Sequence, residues 1–255
     1  MKIWTLMENT AEDGFLCEHG LSLYLETGNA KILFDMGQTD GFVHNAQRLG
    51  VDLSAVDFAV VSHGHYDHGG GLEAFLQVNH RAKVYLSCHA FGPHYNGQDR
   101  YIGLDGALAG SDRLVWVDSD LDLGSGICLV SRMEGNFQTH GLQRMEEGRL
   151  VPEDFRHELY LLIQEGERRL CVSGCSHRGI CNIVRAFRPD GLVGGFHLMK
   201  TDPASRELHD TARILQGTST VYYTGHCTGQ EQFQVLQPIL GPQLHRFQAG
   251  TVFTL

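Results

Sequence analysis

Short apolar runs recur along the chain and predict buried strands, since each is bounded by glycine, aspartate or a charged residue. In chain order the runs are LSLYLET (21–27), AKILFDMG (30–37), DFAVVSH (57–63), AKVYLSCH (82–89), ELYLLIQ (158–164), RRLCVSGCSH (168–177), GLVGGFHL (191–198) and STVYYTGHC (219–227).

Segments with a helical apolar face separate most of these runs, and several start or stop at glycine, aspartate or proline. They are DGFVHNAQRLG (40–50), GGLEAFLQVN (70–79), GICNIVRAFRP (179–189), DPASRELHDTARILQG (202–217) and TGQEQFQVLQPILG (228–241). Alternation of strands and helices favours one α/β domain over residues 1–255. Residues 91–156 break the pattern, and we expect them to form an excursion that caps the site as a lid.

Four of the predicted strands end in the same way, with an apolar run, a small residue and then histidine. The endings read AVVSHGHYDH, CVSGCSH, LVGGFHL and VYYTGHC. Ligand sites in α/β sheets gather at the carboxyl ends of strands, so these histidines are expected to converge.

The ending after the third run carries the strongest chemical signal. His63 and His65 project to the same side of an extended backbone and can bind one cation. Asp67 and His68 follow at the turn and can bind an adjacent cation, and Gly69–Gly71 lets the backbone fold tightly there. Imidazole and carboxylate together suit zinc. A surface histidine cluster is the alternative.

The other strand ends supply further candidate ligands, because histidine is the most common metal ligand. We predict that His177 and His226 are ligands. His197 is left open between metal ligand, substrate contact and structural residue. Cys175 is either a thiolate ligand or a small buried packing residue, and the second is favoured slightly.

Several polar residues near the predicted mouth of the site are ambiguous. Glu18 and His19 either line the mouth or cap a loop. Glu8 and Asn9 either reach the mouth or lie in a solvated turn, which is favoured somewhat. Lys200 is expected to be a surface lysine rather than a partner of an anionic substrate.

Composition narrows the classes of function. The net charge of −10, with no Lys or Arg run longer than two, disfavours a nucleic-acid interface. Seven scattered cysteines, an odd number, are typical of a reduced cytoplasmic protein rather than a disulfide framework. We expect no signal peptide and no membrane span, because no apolar segment is long enough. No pattern predicts the oligomeric state.

The segments SHGHYDHGGGL, GCSHRGICNIV, GGFHL and YTGHCTG, together with EHGLSLYLETGNAKILFDMG, resemble the metallo-β-lactamase superfamily. The order of motifs resembles a subgroup related to a dihydropterin–aminobenzene ribofuranosyl phosphate synthase. The resemblance implies a four-layer αββα sandwich with two metals at one edge. His63, His65 and His177 would hold one metal, and Asp67, His68 and His226 the other.

The same resemblance implies that Asp35 orients the ligands and that Glu158 contacts substrate. It also has departures. Many members carry an aspartate between the metals where this chain has Cys175, and a PGHT-like motif is absent. Di-iron oxidoreductases of the superfamily usually have glutamate where His65 stands, which argues against redox di-iron chemistry.

The function predicted from the sequence is a metal-dependent hydrolase that uses a metal-activated water at a mono- or binuclear site. The substrate would be a small anionic ester, lactone or phosphoester, and Asp67 would steer a proton. Zinc is expected, with manganese or iron as alternatives.

Two other functions remain open. One is a pterin–arylamine transferase, for which a basic or aromatic pocket would be formed by residues of the 91–156 region, namely Arg100, Tyr101, Arg113 and Trp116. The other is a metal-bound sensor without catalytic activity.

Overall fold

The computed structural model describes all 255 residues, which form eighteen strands and six α-helices. The strands are β1 (Lys2–Met7), β2 (Ser22–Glu26), β3 (Lys31–Phe34), β4 (Phe58–Val60), β5 (Lys83–Ser87), β6 (His94–Asn96), β7 (Arg100–Tyr101), β8 (Leu114–Val117), β9 (Leu121–Gly124), β10 (Ile127–Val130), β11 (Leu142–Glu146), β12 (Arg149–Pro152), β13 (Tyr160–Glu165), β14 (Arg168–Ser173), β15 (Gly191–Gly194), β16 (Val221–Thr224), β17 (Leu244–Arg246) and β18 (Val252–Thr254). The helices are α1 (Gly41–Arg48), α2 (Tyr66–Gly69), α3 (Leu72–Val78), α4 (Ile180–Phe187), α5 (Arg206–Gln216) and α6 (Gln230–Leu240).

Two seven-stranded sheets face each other across an apolar core. Their strand orders are β18-β1-β2-β3-β4-β5-β8 and β17-β16-β15-β14-β13-β10-β9. Side chains alternate across each strand, so Ile32 and Phe34 of β3 and Val172 of β14 enter the layer between the sheets. Leu33 and Cys171 point the other way, toward helices.

Helices cover the outer face of both sheets. Helices α1 and α3 pack on the first sheet through Phe42 and Phe75. Helices α4, α5 and α6 pack on the second through residues that include Ile183, Leu208 and Leu236. The arrangement is the predicted αββα sandwich, which is confirmed.

Parallel pairing brings the predicted strand ends to one edge. Strands β3, β4, β5 and β8 pair in parallel in the first sheet, and β14, β15, β16 and β17 do so in the second. The segments that follow β4, β14, β15 and β16 therefore carry His63, Cys175, His197 and His226 toward the same region.

All eight predicted strands and all five predicted helices are present, although some bounds differ. Helix α5 begins at Arg206 and not near residue 202, because the Ser205 hydroxyl accepts a hydrogen bond from the Leu208 amide and caps the helix there. Strands β1, β17 and β18 were not predicted, since their apolar runs are short or mixed with polar residues.

The segment 91–156 is more regular than an excursion over the surface. Strand β8 extends the first sheet, and β9 and β10 extend the second. Strands β6, β7, β11 and β12 form a separate four-stranded sheet. The sequence pattern missed them because they have two to five residues each, several with exposed polar positions.

All seven cysteines are free thiols. No helix combines the length and the apolar character that a membrane crossing requires.

Candidate metal centre

The six predicted ligands come together at the edge where β4, β14 and β16 end. Their side chains are almost completely buried, and no imidazole among them is more than a few per cent exposed. They form two neighbouring sets. We call His63, His65 and His177 the first donor group, and Asp67, His68 and His226 the second donor group.

In the first donor group, Nε2 of His63 lies 3.3 Å from Nε2 of His177. Two nitrogens bound to one tetrahedral zinc, each at about 2.0–2.1 Å, would stand about 3.3 Å apart. The His65 ring packs against both, with centroids 4.5 Å from that of His63 and 5.0 Å from that of His177. The spacing of the His63 and His177 nitrogens fits one cation, while the His65 ligand atom forms a compact set with those of His94 and His157.

In the second donor group, Nε2 of His68 lies 3.1 Å from Nε2 of His226. Oδ2 of Asp67 is 3.4 Å from the His226 nitrogen and 3.7 Å from the His68 nitrogen. Two imidazoles and a carboxylate at these distances are a donor set that zinc, manganese or iron accepts.

The Cys175 thiol lies between the two groups. Its Sγ is 3.1 Å from Nε2 of His68. It forms one compact set of ligand atoms with His63 and His177, and a second with His68 and His226. The Cys175 side chain is buried, as expected for a packing residue. Its sulfur is also the one donor atom that both sets share.

Asp35 fixes the ring nitrogens of a histidine in each group. Its Oδ2 accepts hydrogen bonds from Nδ1 of His68 at 2.6 Å and from the Ser62 hydroxyl at 2.8 Å. A carboxylate only accepts, so the single Ser62 hydrogen is used there, and Nδ1 of His63 must donate to the Ser62 oxygen at 2.8 Å. Nε2 of both histidines is therefore left with a lone pair for a metal.

A glycine makes this arrangement possible. A Cβ on Gly174 would lie 2.1 Å from the Ser62 hydroxyl oxygen and 3.1 Å from Oδ2 of Asp35. The glycine in the predicted SGCSH motif thus lets β14 approach the Asp35 network.

Glu8 and Asn9 hold His226, and are not part of a solvated turn. Oδ1 of Asn9 accepts the His226 Nδ1 hydrogen at 2.9 Å and also the Gly20 amide, which identifies it as an acceptor. Nε2 of His226 is then free to bind a metal. The Glu8 carboxylate, which is buried, accepts the His226 amide. Sequence reasoning missed this because the contact spans more than 200 residues.

Two ring nitrogens of the first donor group lack any partner. Nε2 of His65 and Nδ1 of His177 are buried and make no hydrogen bond. An unsatisfied buried polar group is unfavourable by about 1–3 kcal/mol. Such groups are retained where a ligand completes them, so the first donor group is a site that fits an additional species.

Burial and neighbouring charges shift the pKa values of these histidines in different directions. Burial, followed by neighbouring histidines, holds the pKa of His63 and His177 well below the usual value. Burial also lowers the pKa of His68, but the Asp35 and Asp67 carboxylates outweigh it and raise that pKa to about 9. The pKa of Asp67 is lowered, because His68 and His226 outweigh the effect of burial.

His94 and His157 also lie beside the centre, and no local pattern predicts them, because each is isolated in the sequence. Their rings stack with centroids 3.9 Å apart, and His157 lies 5.1 Å from His65. Nδ1 of His157 accepts the Gly64 amide at 2.9 Å, so Nε2 carries the hydrogen and is not a metal ligand. His94 binds Glu153 through Nδ1 at 2.7 Å.

Glu18 and Glu158 face away from the metal ligands. Oε1 of Glu18 accepts the backbone amides of Gln38 and Thr39, which is the loop-capping alternative. Glu158 is fully buried, and its oxygens accept the amides of His177 and Arg178 and the Tyr160 hydroxyl. Both oxygens of Glu158 therefore have hydrogen-bond partners beneath the 176–178 loop. Glu158 does not line the cavity that opens beside the metal ligands.

A cavity of about 100 Å³ opens beside the centre and is lined by His19, Asp67, Cys175, His177, His197 and His226, with the cations Arg100 and Lys200. Nε2 of the half-exposed His19 lies 3.3 Å from Oδ2 of Asp67. Of the four residues named above for a basic or aromatic pocket, only Arg100 reaches this cavity. Arg113 instead donates to the carbonyls of Asn79 and Ala82.

One family model and several known proteins are similar to this chain. A family model of the metallo-beta-lactamase superfamily matches residues 17–159. An uncharacterized protein of Methanocaldococcus jannaschii is 29% identical over 260 residues, which cover 97% of this chain and 96% of that protein. The 7,8-dihydropterin-6-methyl-4-(beta-D-ribofuranosyl)-aminobenzene-5'-phosphate synthase of the same organism is 27% identical over 285 residues, 99% of this chain and 96% of the synthase.

Among solved structures, the chain is similar to Tm1679, a metal-dependent hydrolase of the beta-lactamase superfamily. The TM-score is 0.87 at 28% sequence identity, and the match covers 100% of this chain and 99% of that one.

Proposed function

Because this chain belongs to the metallo-β-lactamase superfamily, we propose that it is a metal-dependent hydrolase of a small anionic ester, lactone or phosphoester. One observation carries the proposal: the Cys175 sulfur forms one compact set of ligand atoms with His63 and His177 and another with His68 and His226, beside a cavity that two cationic side chains line. The similarity to Tm1679 over the whole chain supports the hydrolytic reading.

In this proposal the first donor group would hold one divalent cation and the second donor group another, and the Cys175 sulfur, once deprotonated, would be a donor available to both. Zinc suits a set of imidazole, carboxylate and thiolate ligands best, while manganese and iron accept its harder members. Cations bound there would polarise a carbonyl or phosphoryl oxygen and lower the pKa of a water molecule toward about 7.

Side chains of the protein would supply proton transfer and substrate binding. Asp67 lies at the wall of the cavity, where its carboxylate would accept a hydrogen bond from the attacking water and steer a proton toward the leaving group. Arg100 and Lys200 bind the anionic part of the substrate. Residues Asn96, Ile102 and Leu142 from the 91–156 region close the cavity, so we assign that part of the region the role of a cap.

A group-transfer reaction is the second candidate, and the similarity to the dihydropterin synthase over almost the whole chain favours it. In that reaction a diphosphate would leave from a pterin methyl group, and an arylamine would take the place of water. Arg100 and Lys200 would then bind the diphosphate.

The two candidates are separated by a screen on metal-loaded protein with phosphodiesters, lactones, thioesters and pterin diphosphates, the last with and without an arylamine. Hydrolysis without a second substrate is expected. Turnover by the His68→Ala variant should fall by more than about 100-fold. Loss of a residue that only supports a metal ligand typically has an effect of up to about that size, and His68 would itself be a ligand. His44→Ala, an exposed histidine of α1, is the control. A His68→Ala variant with full turnover would rule out the mechanism.

A further inference from the structure

His19 lies over the second donor group and has no part in the mechanism above. Its Nε2 is 3.3 Å from Oδ2 of Asp67, and its ring centroid is 5.1 Å from that of His226. The ligand atoms of these three residues all lie within 4.8 Å of one another. Two donors on one tetrahedral zinc stand about 3.3 Å apart, so His19 is within reach of a cation that Asp67 and His226 bind.

The Asp67 carboxylate is the point at which three imidazoles meet. Its Oδ2 lies 3.3 Å from Nε2 of His19, 3.4 Å from Nε2 of His226 and 3.7 Å from Nε2 of His68. A carboxylate oxygen and three imidazole nitrogens together make up the four donors of a tetrahedral zinc site. A cation bound by the Asp67 oxygen would therefore be a common partner for all three nitrogens, whereas a hydrogen bond between His19 and Asp67 would involve only one of them.

Glu18 fixes the backbone on one side of His19. Its carboxylate accepts the Gln38 amide at 2.7 Å, and its own amide donates to the Glu8 carbonyl at 3.2 Å. Glu8 in turn accepts the His226 amide through its carboxylate. The loop-capping contacts of Glu18 therefore connect the backbone beside His19 to a residue that holds His226.

Gly20 fixes the other side of His19. Its amide donates to Oδ1 of Asn9 at 3.3 Å, and the same atom accepts the His226 Nδ1 hydrogen at 2.9 Å. A Cβ on Gly20 would lie 2.8 Å from the Asp67 carbonyl oxygen, so the absence of a side chain lets the loop approach Asp67 this closely. The loop that carries His19 is thus attached to Asp67 and to the residue that orients His226.

Exposure separates His19 from the other histidines around Asp67. The His19 side chain is 45% exposed, whereas those of His68 and His226 are buried. His19 also lines the cavity beside the metal ligands, as do Asp67 and His226. It is therefore the member of this cluster that faces solvent.

We propose that His19 is a fourth protein ligand of the cation at the second donor group, beside Asp67, His68 and His226. The presence of a cation there belongs to the proposed function, and the inference rests on it. Zinc sites with four protein ligands are closed, whereas catalytic zinc keeps one position for water. His19 would occupy the solvent-facing position of this cation, where a water would otherwise bind, and so close the second donor group on that side.

Zinc titration of the metal-free protein, in competition with a coloured chelator, tests the inference. We expect His19→Ala to weaken the binding of one of the two metal equivalents at least about tenfold, since residues that only support a ligand already contribute about 10–100-fold. His19→Gln should bind zinc like His19→Ala, because its amide can donate a hydrogen bond to Asp67 but is a weaker zinc ligand than imidazole. Wild-type affinity in His19→Gln would mean that His19 only pairs with Asp67, and would overturn the inference.

Cobalt(II) provides a second readout, because its visible absorption depends on the number and kind of its ligands. The spectrum of cobalt-loaded His19→Ala should differ from that of the wild type. Added imidazole should restore it, since removal of the half-exposed ring leaves a space open to solvent. A His19→Ala spectrum identical to that of the wild type would overturn the inference.

His44→Ala is the matched control, because His44 is also an exposed histidine beside a carboxylate, with Nε2 3.8 Å from Oδ2 of Asp40. It should bind both metal equivalents with wild-type affinity. Unchanged zinc affinity in His19→Ala would overturn this inference alone, since the hydrolase proposal is judged separately by turnover in the His68→Ala variant. A wild-type protein that binds fewer than two equivalents would overturn both the inference and the second cation of the proposed function.

Discussion

The two donor groups of the metal centre differ in how the protein holds the outer nitrogens of their histidines. In the second donor group, His68 donates to Asp35 and His226 donates to Asn9. In the first, only His63 has such a partner, the Ser62 hydroxyl, whereas Nε2 of His65 and Nδ1 of His177 have none.

The difference shows two ways in which the protein supports the histidines of a donor group. The second donor group is oriented in advance by carboxylate and amide acceptors, so little reorganisation accompanies metal binding. The first donor group keeps unsatisfied nitrogens beside the His94–His157 pair, where a ligand can complete them. We therefore expect the first group to depend more on what is bound there.

The largest effect is expected from Asp35→Asn, because Asp35 is the one residue that orients a histidine in each group. An amide presents hydrogens where the carboxylate accepts them from His68 and Ser62, so at least one donor loses its partner. Changes of this kind typically weaken metal binding about 10–100-fold. We expect the binding of both metal equivalents to weaken, as measured in a competition titration against a coloured chelator.

Asp40→Asn, the same change at an exposed aspartate, is the control for Asp35→Asn and should bind both equivalents normally. If only one metal equivalent binds more weakly in Asp35→Asn, the Asp35 carboxylate supports one donor group and not both.

A smaller effect is expected from Cys175, whose sulfur joins the two groups. Cys175→Ala removes the shared donor, so the bound metal should fall from two equivalents to one. Cys175→Asp restores an anionic donor at the position where many members of the superfamily have aspartate, and should keep two. Metal content after gel filtration measures both.

Cys171→Ala is the matched control for the cysteine variants, because Cys171 is an equally buried thiol that packs beneath the helices of the second sheet. It should lose stability and keep both metals. Two equivalents in Cys175→Ala would mean that the thiol only packs, as the sequence alone favoured.

How far the sequence predicted this site depends on the range of the contacts. SHGHYDH supplies four ligands within six residues, and the strand endings that carry His177 and His226 share a local pattern. Asn9, His94 and His157 act on the centre only because sheets bring distant segments together, and no local pattern marks them.

The same limit applies to the fold. Strands buried on both faces, such as β14, read as continuous apolar runs and were predicted, whereas β9 has the sequence LDLG and pairs at the edge of a sheet, where polar residues are tolerated. The segment 132–141 is likewise positioned by side-chain contacts with α4 and α5 and not by its own pattern.

The smallest effect concerns the stability of the metal-free protein, which the histidines of the first donor group should lower at acid pH and His68 should lower at alkaline pH. His63, His65 and His177 have lowered pKa values, so they stay neutral in the folded state and gain protons on unfolding below about pH 6.5. Each should therefore reduce the free energy of unfolding by about 1.4 kcal/mol at pH 5.5.

His68 acts on the alkaline side, because its folded pKa is raised to about 9. Its stabilising contribution is complete below about pH 6.5 and is lost as the pH rises through 9. Urea unfolding in chelator should thus show a stability maximum between these limits. His63→Gln should flatten mainly the acid limb, and His68→Gln mainly the alkaline limb. If either variant changes both limbs equally, the two groups titrate as one unit, and the distinction between them does not hold.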